Sequence, residues 1–282
     1  MRVSALSIYP LKSGRAISLE EAVVDRMGLA GDRRLVVTDP DGDFITQRDL
    51  QALARLRVLP EGDGYRLSFE NEAALHVSPS ASGDRLGVTV WGSDIDAAVS
   101  GAEINDRLST WLGRPVRLAW YDGRSRRSAS AEWSAEETPV SFADGFPILV
   151  TTEASLEALN RDMEAHGEGR IGMERFRPNI VIDSSEAWEE DFWEAIEIGG
   201  IRFDLVKPCA RCIMTTQDQE TGSRDVPSPM PAMGRLRMSA DRRVPGPLFG
   251  WNAAPRGEGR LRLGDAVRVI SRREDGWRFK RR

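Results

Sequence analysis

The sequence contains few of the residues that disulfide frameworks, hydrolase triads and most metal sites require. It has two cysteines, Cys209 and Cys212, and two histidines, His76 and His166. One close pair of cysteines cannot form the set of cross-links typical of small secreted proteins. The scarcity of histidine argues against a His-based hydrolase and a His-rich metal site.

Long hydrophobic runs and a strong excess of one charge are also missing. No uncharged apolar stretch is long enough to span a bilayer, and the first residues lack the apolar core of a signal peptide. The net charge of −5 does not indicate a nucleic-acid partner. We therefore predict a cytoplasmic protein with no nucleic-acid and no membrane partner. Residues 271–282 are basic and are predicted to form a solvated, frayed tail; the alternative is a docking site for an acidic electron-transfer partner.

Alternating apolar residues predict a β-rich fold that carries a few helices. The helices are expected to begin at Ser100, which has capping-box spacing to Glu103, and at Thr152. Paired glycines, Gly199 and Gly200, mark a hairpin. The predicted strands are 34–38 and 44–47 in one hairpin, 196–198 and 201–205 in another, and 86–91, 116–120, 179–182 and 261–270. Residues 121–140 break the pattern and are predicted to be a flexible, exposed connection, either a domain boundary or an active-site loop.

Two cysteines lie directly after a predicted strand, in the segment 207–212. Arg211 precedes Cys212 and favours its thiolate form electrostatically. A zinc site would need further ligands, and a thioredoxin-type dithiol belongs to a βαβ context. A single thiolate ligand to a soft metal fits better, because an organic cofactor can supply the other ligands. Two buried structural cysteines are the alternative, and this segment alone does not decide between the two.

Several other polar residues are suited to binding an anion or a polar ligand. Lys12 and Ser13 follow a predicted strand and offer a charge, a hydroxyl and backbone amides. The planar guanidinium of Arg177 also suits anions. Each residue has an ordinary alternative as part of a turn, a surface ion pair or a strand-entry loop. The full candidate set is Lys12, Ser13, Arg33, Arg177, Asn179 and Asn252.

These segments occur in a fixed order over nearly the whole chain, and together they carry a family resemblance. The order is 9–14, 31–34, 176–179, 209–216, 246–250 and 263–265. With these motifs the sequence resembles the MOSC superfamily with an N-terminal β-barrel extension, and within it the amidoxime-reducing components and their bacterial counterparts. The resemblance implies a mixed α/β, β-rich fold, with a MOSC N-terminal β-barrel domain over 1–120 and a MOSC β-barrel domain with a few flanking helices over 121–282.

The resemblance also implies a cofactor and roles for individual residues. The cofactor is molybdopterin-bound molybdenum, and Cys212 matches the family cysteine that binds the metal. Asp144 matches a position near the metal, where it would relay a proton or position substrate, and Cys209 matches a supporting or packing position. The cofactor phosphate would be held by Lys12, Ser13 and Arg33, and the pterin and metal end would be lined by Arg177, Asn179, Thr215 and Asn252.

The implied activity is reduction of N-hydroxylated compounds by removal of oxygen from an N–O bond. The chain has no flavin, haem or cluster signature. We therefore expect an external electron donor, either a ferredoxin-type protein or a flavin reductase. The alternative is a carrier of the cofactor or of sulfur that uses Cys212 without reductive turnover, and a metal-free structural adaptor is a third hypothesis.

Overall fold

Strands dominate the structure, a computed structural model that describes residues 1–78 and 83–280. The largest sheet has eight strands, and β12 and β13 are its parallel pair. In spatial order its strands are β18 (Val267–Arg272), β14 (Trp193–Ile198), β15 (Ile201–Ala210), β16 (Leu248–Arg256), β12 (Ile148–Thr152), β13 (Ile180–Ile182), β1 (Val3–Ile8) and β2 (Ile17–Leu19).

Three smaller sheets complete the strand pairing of the described residues. One contains β5 (Leu35–Thr38), β11 (Arg117–Trp120), β10 (Ser93–Val99) and β9 (Arg85–Val90). Another contains β17 (Gly259–Arg262), β3 (Glu21–Asp25) and β4 (Gly28–Leu29), and the last contains β6 (Arg57–Glu61), β7 (Gly64–Ser68) and β8 (Leu75–Val77).

Helices are short and few in the part of the chain that the structure describes. The α-helices are α1 (Ala102–Leu112), α2 (Glu153–Ala165) and α3 (Met230–Leu236), and the 3₁₀ turns are Gln51–Arg55, Met173–Phe176, Glu189–Phe192 and Ile213–Thr216. None of these helices is long and apolar enough to cross a membrane. The predicted β-rich fold class is confirmed.

The two largest apolar cores hold the sheets in place. The larger core lies on the eight-stranded sheet, where Trp193, Phe203 and Trp251 are fully buried. In the smaller core, Leu108 and Trp111 of α1 pack against residues of β5, β11 and the β6–β8 sheet. Burial of each such side chain contributes about 2 kcal/mol, which makes these clusters the main support of the fold.

The strand registers place several loops at one side of the large sheet. Leu6 near the end of β1 lies opposite Ile180 at the start of β13, and Val150 of β12 lies beside Ile180. Asn252 of β16 faces Leu149 of β12 and Lys207 of β15. As a result, the loop after β1, the loops before β12 and β13 and the segment that ends β15 converge on one region.

Local hairpin and cap predictions gave mixed outcomes. The hairpin at Gly199 and Gly200 is confirmed, with φ of 58° and 77° at the two glycines. Thr152 is confirmed as the N-cap of α2, where its side chain accepts a hydrogen bond from Ser155 N. The capping box at Ser100 is wrong, because Gly101 is the N-cap of α1 and Ser100 Oγ accepts a hydrogen bond from Trp120 Nε1 at 2.8 Å.

The first predicted hairpin forms only in part. The chain reverses between Asp39 and Asp43, whose backbone N and O atoms are 3.0 Å apart. Its returning strand is reduced to a bridge between Thr38 and Phe44. The peptide then leaves this sheet to enter the loop around Arg48, which contributes to the pocket described below.

Strand pairing crosses the predicted domain boundary at residue 120. Strands β1 and β2 belong to the same sheet as β12–β16, and β3 pairs with β17 along the register Glu21 to Arg262. The division into 1–120 and 121–282 therefore stays a prediction about domains, and the sheets themselves are shared between the two parts.

The basic C-terminal segment is packed against the protein, so the prediction of a frayed tail is wrong for residues 271–280. Trp277 Nε1 donates to Ser239 Oγ at 3.0 Å, and Lys280 N donates to Met238 O at 2.8 Å. The guanidinium of Arg237 stacks on Phe279 at 3.9 Å. Apolar rings between the basic residues fix the segment, an effect that a charge count does not reveal. Residues 281 and 282 lie outside the described part.

Candidate functional site

A pocket lies where the converging loops meet, with a volume of about 790 Å³ that is partly open to solvent. The pocket brings together all but one of the predicted site residues: Lys12, Ser13, Arg33, Asp144, Arg177, Asn179, Cys212 and Asn252, with Cys209 beside them. Thr215 is the exception.

Lys12 and Ser13 lie in a tight turn after β1. Lys12 N donates to Leu35 O at 2.8 Å, and Gly14 N closes the turn on Leu11 O, also at 2.8 Å. A Cβ at Gly14 would lie 2.8 Å from the Cβ of Leu11, so the turn requires glycine there. Ser13 adopts a left-handed conformation with φ of 62°. The turn therefore directs both residues into the pocket.

The ammonium of Lys12 is buried and belongs to a small polar network. Its Nζ donates to Phe142 O at 2.8 Å and to Asp144 Oδ1 at 2.5 Å. Burial lowers the pKa of Lys12, although the carboxylate of Asp144 partly offsets that effect. The charged groups at this end of the pocket are thus held at fixed positions.

Asp144 lies in the loop before β12 with its carboxylate open to the pocket, and 81% of the side chain is exposed. Desolvation by itself raises the pKa of Asp144. The charge and hydrogen bond of Lys12 and the hydrogen bond from Trp91 lower this pKa by a larger amount, so it lies well below its usual range. Asp144 is therefore a carboxylate at neutral pH.

Two guanidiniums lie against the ring of Tyr9. Arg33 lies 4.2 Å and Arg177 4.3 Å from the ring centroid. Arg33 is paired with Asp32 at 2.6 Å, whereas Arg177 donates only to the neutral oxygens of Gly14 and Gln219 at 2.7 and 3.0 Å. Burial lowers the pKa of Arg177 to about 10 and raises that of Tyr9 to about 12. This wall of the pocket carries a buried cation with no ion pair among the described residues.

The two asparagines differ in how firmly they are held. Asn179 is buried, and its Oδ1 accepts hydrogen bonds from Leu149 N at 3.1 Å and Arg33 at 3.2 Å, while its Nδ2 donates to Ser7 O. It therefore ties β1, β12 and the Arg33 turn together. Asn252 is half-buried, and its Nδ2 donates to Lys207 O at 3.2 Å. Its amide oxygen has no protein donor among the described residues.

The cysteine segment leaves β15 and enters a 3₁₀ turn. Cys212 is the N-cap of Ile213–Thr216, and its thiol is free and exposed, while Cys209 is free and half-buried. This exposure removes the alternative of two buried structural cysteines. The guanidinium of Arg211 donates to Cys209 Sγ at 2.9 Å and to Phe176 O at 2.6 Å. Sequence adjacency had suggested that Arg211 acts on Cys212. In the structure the guanidinium contacts the sulfur of Cys209 instead.

Thr215 lies behind the cysteine segment rather than on the pocket wall. It is fully buried, and its hydroxyl donates to Cys212 O at 3.0 Å. Its role in the structure is to hold the backbone of Cys212. No group of three or more His, Cys, Asp and Glu side chains suited to a metal occurs among the described residues.

Sequence reasoning missed two residues that shape this site. Arg127, in the segment 121–140, donates to Ser141 O at 3.0 Å, to Ala143 O and to Asp144 O at 3.1 Å, and so clamps the loop before β12. Trp91, at the β9–β10 turn, reaches across to Asp144. The cluster of arginines in 121–140 was a usable signal for Arg127, but no sequence signal links Trp91 to Asp144.

Backbone strain concentrates around the pocket. Among the described non-glycine residues with positive φ, most line it: Ser13, Arg33, Trp91 and Arg177 have φ of 62°, 48°, 50° and 56°. Such conformations are unfavourable for residues with a Cβ and cluster at functional sites. The fold therefore holds these side chains in the pocket against local preference.

Comparison with known proteins places the chain in a family. Residues 1–115 match the MOSC N-terminal beta barrel domain and residues 137–268 match the MOSC domain. The chain belongs to the family of MOSC proteins that carry this N-terminal domain. It is similar to proteins called mitochondrial amidoxime-reducing component: component 1 of Mus musculus at 31% identity, component 1 of Danio rerio at 32% and component 2 of Homo sapiens at 31%.

These alignments span most of both partners. They cover 95%, 95% and 94% of this chain and 82%, 85% and 82% of the mouse, zebrafish and human proteins. Among solved structures, YiiM of Geobacillus stearothermophilus aligns at 15% identity with a TM-score of 0.31, over 51% of this chain and 71% of that one, too little overlap to support an argument.

Proposed function

We propose that this protein is a molybdenum-cofactor-dependent reductase of N-hydroxylated compounds. The observation that carries the proposal is the pairing, in one pocket, of an exposed free thiol with a cationic wall. Family membership and similarity to proteins named amidoxime-reducing components support the same activity. Reducing equivalents would come from a separate donor, a ferredoxin-type protein or a flavin reductase.

The donor set of the pocket fits a phosphate-bearing pterin with a soft metal. Arg177 is a buried cation with no ion pair among the described residues, which is unfavourable until an anion arrives. Arg211 also lines the pocket, and its buried Nε has no hydrogen-bond acceptor in the described part of the chain. Lys12, Ser13 and Arg33 would hold the phosphate, and the thiolate of Cys212 would bind the metal, because sulfur ligands suit soft metals.

The chemistry of removing oxygen from an N–O bond is supplied by the cofactor when it is bound, and the protein binds and orients the reactants. Arg177, Asn179 and Asn252 would line the pterin. Thr215 would act indirectly, by holding the carbonyl of Cys212.

The pKa of Asp144 distinguishes between its two predicted roles, relaying a proton and positioning the substrate. Its lowered pKa makes it a weak proton donor near neutral pH, since a general acid works best with a pKa close to the working pH. We therefore assign Asp144 to positioning the substrate through its exposed carboxylate, in preference to relaying a proton.

Metal and pterin content test the proposal directly. Protein expressed in a host that makes the molybdenum cofactor should carry near-stoichiometric molybdenum and pterin, and Cys212→Ser should lose most of the metal. Cys209→Ser is the matched control and should retain it, because that thiol is already bonded to Arg211. Zinc, or protein with neither metal nor pterin, would contradict the proposal.

Turnover separates a reductase from a carrier. With an electron donor, the loaded wild type should consume many equivalents of an amidoxime per molybdenum. A loaded protein that consumes none, yet passes its cofactor or sulfur to an acceptor, would be the carrier instead.

A further inference from the structure

Trp91 is the most exposed large hydrophobic side chain among the described residues, at 50%, and it lies on the pocket wall. Scattered exposed apolar residues need no explanation, but an indole at the mouth of a polar pocket is a different case. The proposed function leaves this ring without a role.

The backbone at Trp91 is unfavourable for a tryptophan. Trp91 and Gly92 form the two-residue turn between β9 and β10, with φ of 50° and 78°. Turns of this kind prefer asparagine, aspartate or glycine at the first position, because a Cβ is strained there. Local structure therefore does not account for a tryptophan at this turn, whereas its side chain faces the site.

Several contacts fix the orientation of the indole. Its Nε1 donates to Asp144 Oδ1 at 3.0 Å, the ring of Phe44 meets it edge-on at 5.0 Å, and the guanidinium of Arg48 lies 4.7 Å from it. Arg48 covers part of the ring, and half of the side chain remains exposed. The result is a rigid aromatic surface that needs no rearrangement to receive a flat ligand.

The carboxylate beside the ring has an acceptor to spare. Lys12 and Trp91 both donate to Oδ1 of Asp144, and no hydrogen bond reaches Oδ2 from the described residues. A ligand N–H bonded to Oδ2 would therefore lie next to the indole. A planar group conjugated to that nitrogen could then stack on the ring.

We propose that Trp91 and the Oδ2 atom of Asp144 form a substrate subsite for planar, conjugated N-hydroxylated compounds that carry an N–H group, such as aromatic amidoximes. This inference rests on the proposed function and deepens it: Asp144 selects the N–H donor, and Trp91 selects flat over saturated substituents.

Kinetics with two amidoximes of similar size test the subsite. Wild-type holoenzyme, with an electron donor, should show a KM for benzamidoxime about fivefold below that for cyclohexanecarboxamidoxime. Asparagine suits the turn conformation at this position, so Trp91→Asn is the test variant. It should bring the ratio of the two KM values close to one, mainly by raising the KM for benzamidoxime. The kcat for benzamidoxime should change less than twofold. Trp91→Phe, which keeps a ring, should retain a ratio of at least two. Phe192→Ala is the control, because Phe192 is also an exposed aromatic residue, at 43%, but lies outside the pocket. This variant should leave the ratio of the two KM values unchanged.

A binding measurement separates this inference from the proposed function. Benzamidine and cyclohexanecarboxamidine carry N–H donors without an N–O bond and share the same amidinium charge near neutral pH, so their affinities for wild type and Trp91→Asn, compared by ligand-observed NMR, differ only through the ring. If wild type prefers benzamidine and the variant loses that preference, the subsite is supported even when neither amidoxime is reduced. Absence of reduction would then contradict the proposed reductase activity and not the subsite. The subsite would be overturned if the ratio of the two affinities were the same in Trp91→Asn as in wild type. It would also be overturned if purified Trp91→Asn lacked pterin, because the ring would then belong to the cofactor site.

Discussion

At the scale of single residues, the pocket depends on buried cations that differ in their partners. Arg33 has the carboxylate of Asp32, Lys12 has that of Asp144, and Arg177 has only neutral oxygens. An unpaired buried charge is destabilising unless a ligand compensates it. Arg177 is therefore the residue whose contribution should depend most on a bound anion.

We predict that Arg177→Met lowers the pterin content of protein purified from a cofactor-producing host at least tenfold. The physical reason is loss of a buried pocket guanidinium that has no carboxylate partner among the described residues. Arg175→Met is the matched control: Arg175 is also buried and donates only to carbonyls, at Thr215 and Pro227, but lies outside the pocket. Equal loss in both variants would mean that general destabilisation, not anion binding, explains the effect.

The candidate site was predictable mainly through the family resemblance, because each of its residues taken alone has an ordinary alternative in a turn, an ion pair or a loop. The resemblance implied a common site for Lys12, Arg33, Arg177 and Cys212, and the structure brings them together in one pocket. Trp91 was not predictable, because its contact with Asp144 is made by two loops that are distant in sequence.

At the scale of elements, the segment 121–140 is irregular, as predicted, but it is tied down by hydrogen bonds. Arg256 donates to Ser134 Oγ at 2.8 Å and to Thr138 Oγ1 at 3.1 Å, and Ser125 bonds to Asp122. Composition predicted the missing regular structure correctly. It could not reveal that arginine side chains from this segment and from β16 replace backbone pairing.

We predict that Arg127→Met loosens the loop before β12 without unfolding the protein. Arg127 donates to three backbone carbonyls of that loop, at Ser141, Ala143 and Asp144, so its removal leaves them without a donor from the described residues. Hydrogen–deuterium exchange of the amides at 141–145 should accelerate at least tenfold. Arg126→Met is the control, because Arg126 bonds only to Gly123 and Ser125 within its own turn. Exchange that is equally fast in both variants would refute the clamp.

At the scale of the whole molecule, long-range pairing decides the architecture. Hairpins such as β14–β15 were predictable because their turn and strands are adjacent in sequence. The pairs β1–β13 and β3–β17 join segments that are distant in sequence, and no local pattern specifies their partners. The C-terminal segment was mispredicted for the same reason, since Trp277 and Phe279 find their contacts on residues 237 and 239.

One buried carboxyl group links global stability to pH. Glu190 is fully buried near the start of α2, where Thr152 and Ser155 donate to its Oε2 at 3.1 and 2.9 Å, while Oε1 has no hydrogen-bond partner in the part of the chain that the structure describes. Burial, reinforced by the charge of Asp191, raises the pKa of Glu190 from 4.5 to about 7. Between these two pKa values, the folded protein keeps a proton on Glu190 that the unfolded chain has already released.

We predict that this linkage makes the wild type less stable as pH rises from about 5 to 8. The contribution of Glu190 is fully present below its unfolded pKa and is lost as pH passes its folded pKa, a change on the order of 3 kcal/mol. Glu190→Gln removes the titration, so urea unfolding at pH 5.5 and 8.5 should show the variant gaining stability relative to wild type at the higher pH. Glu189→Gln is the control: desolvation raises the pKa of Glu189, but its bonds to Arg272 and Ser184 lower it overall, so its effect belongs to acid pH. A wild-type and Glu190→Gln difference that stays constant between the two pH values would show that Glu190 does not titrate within the fold.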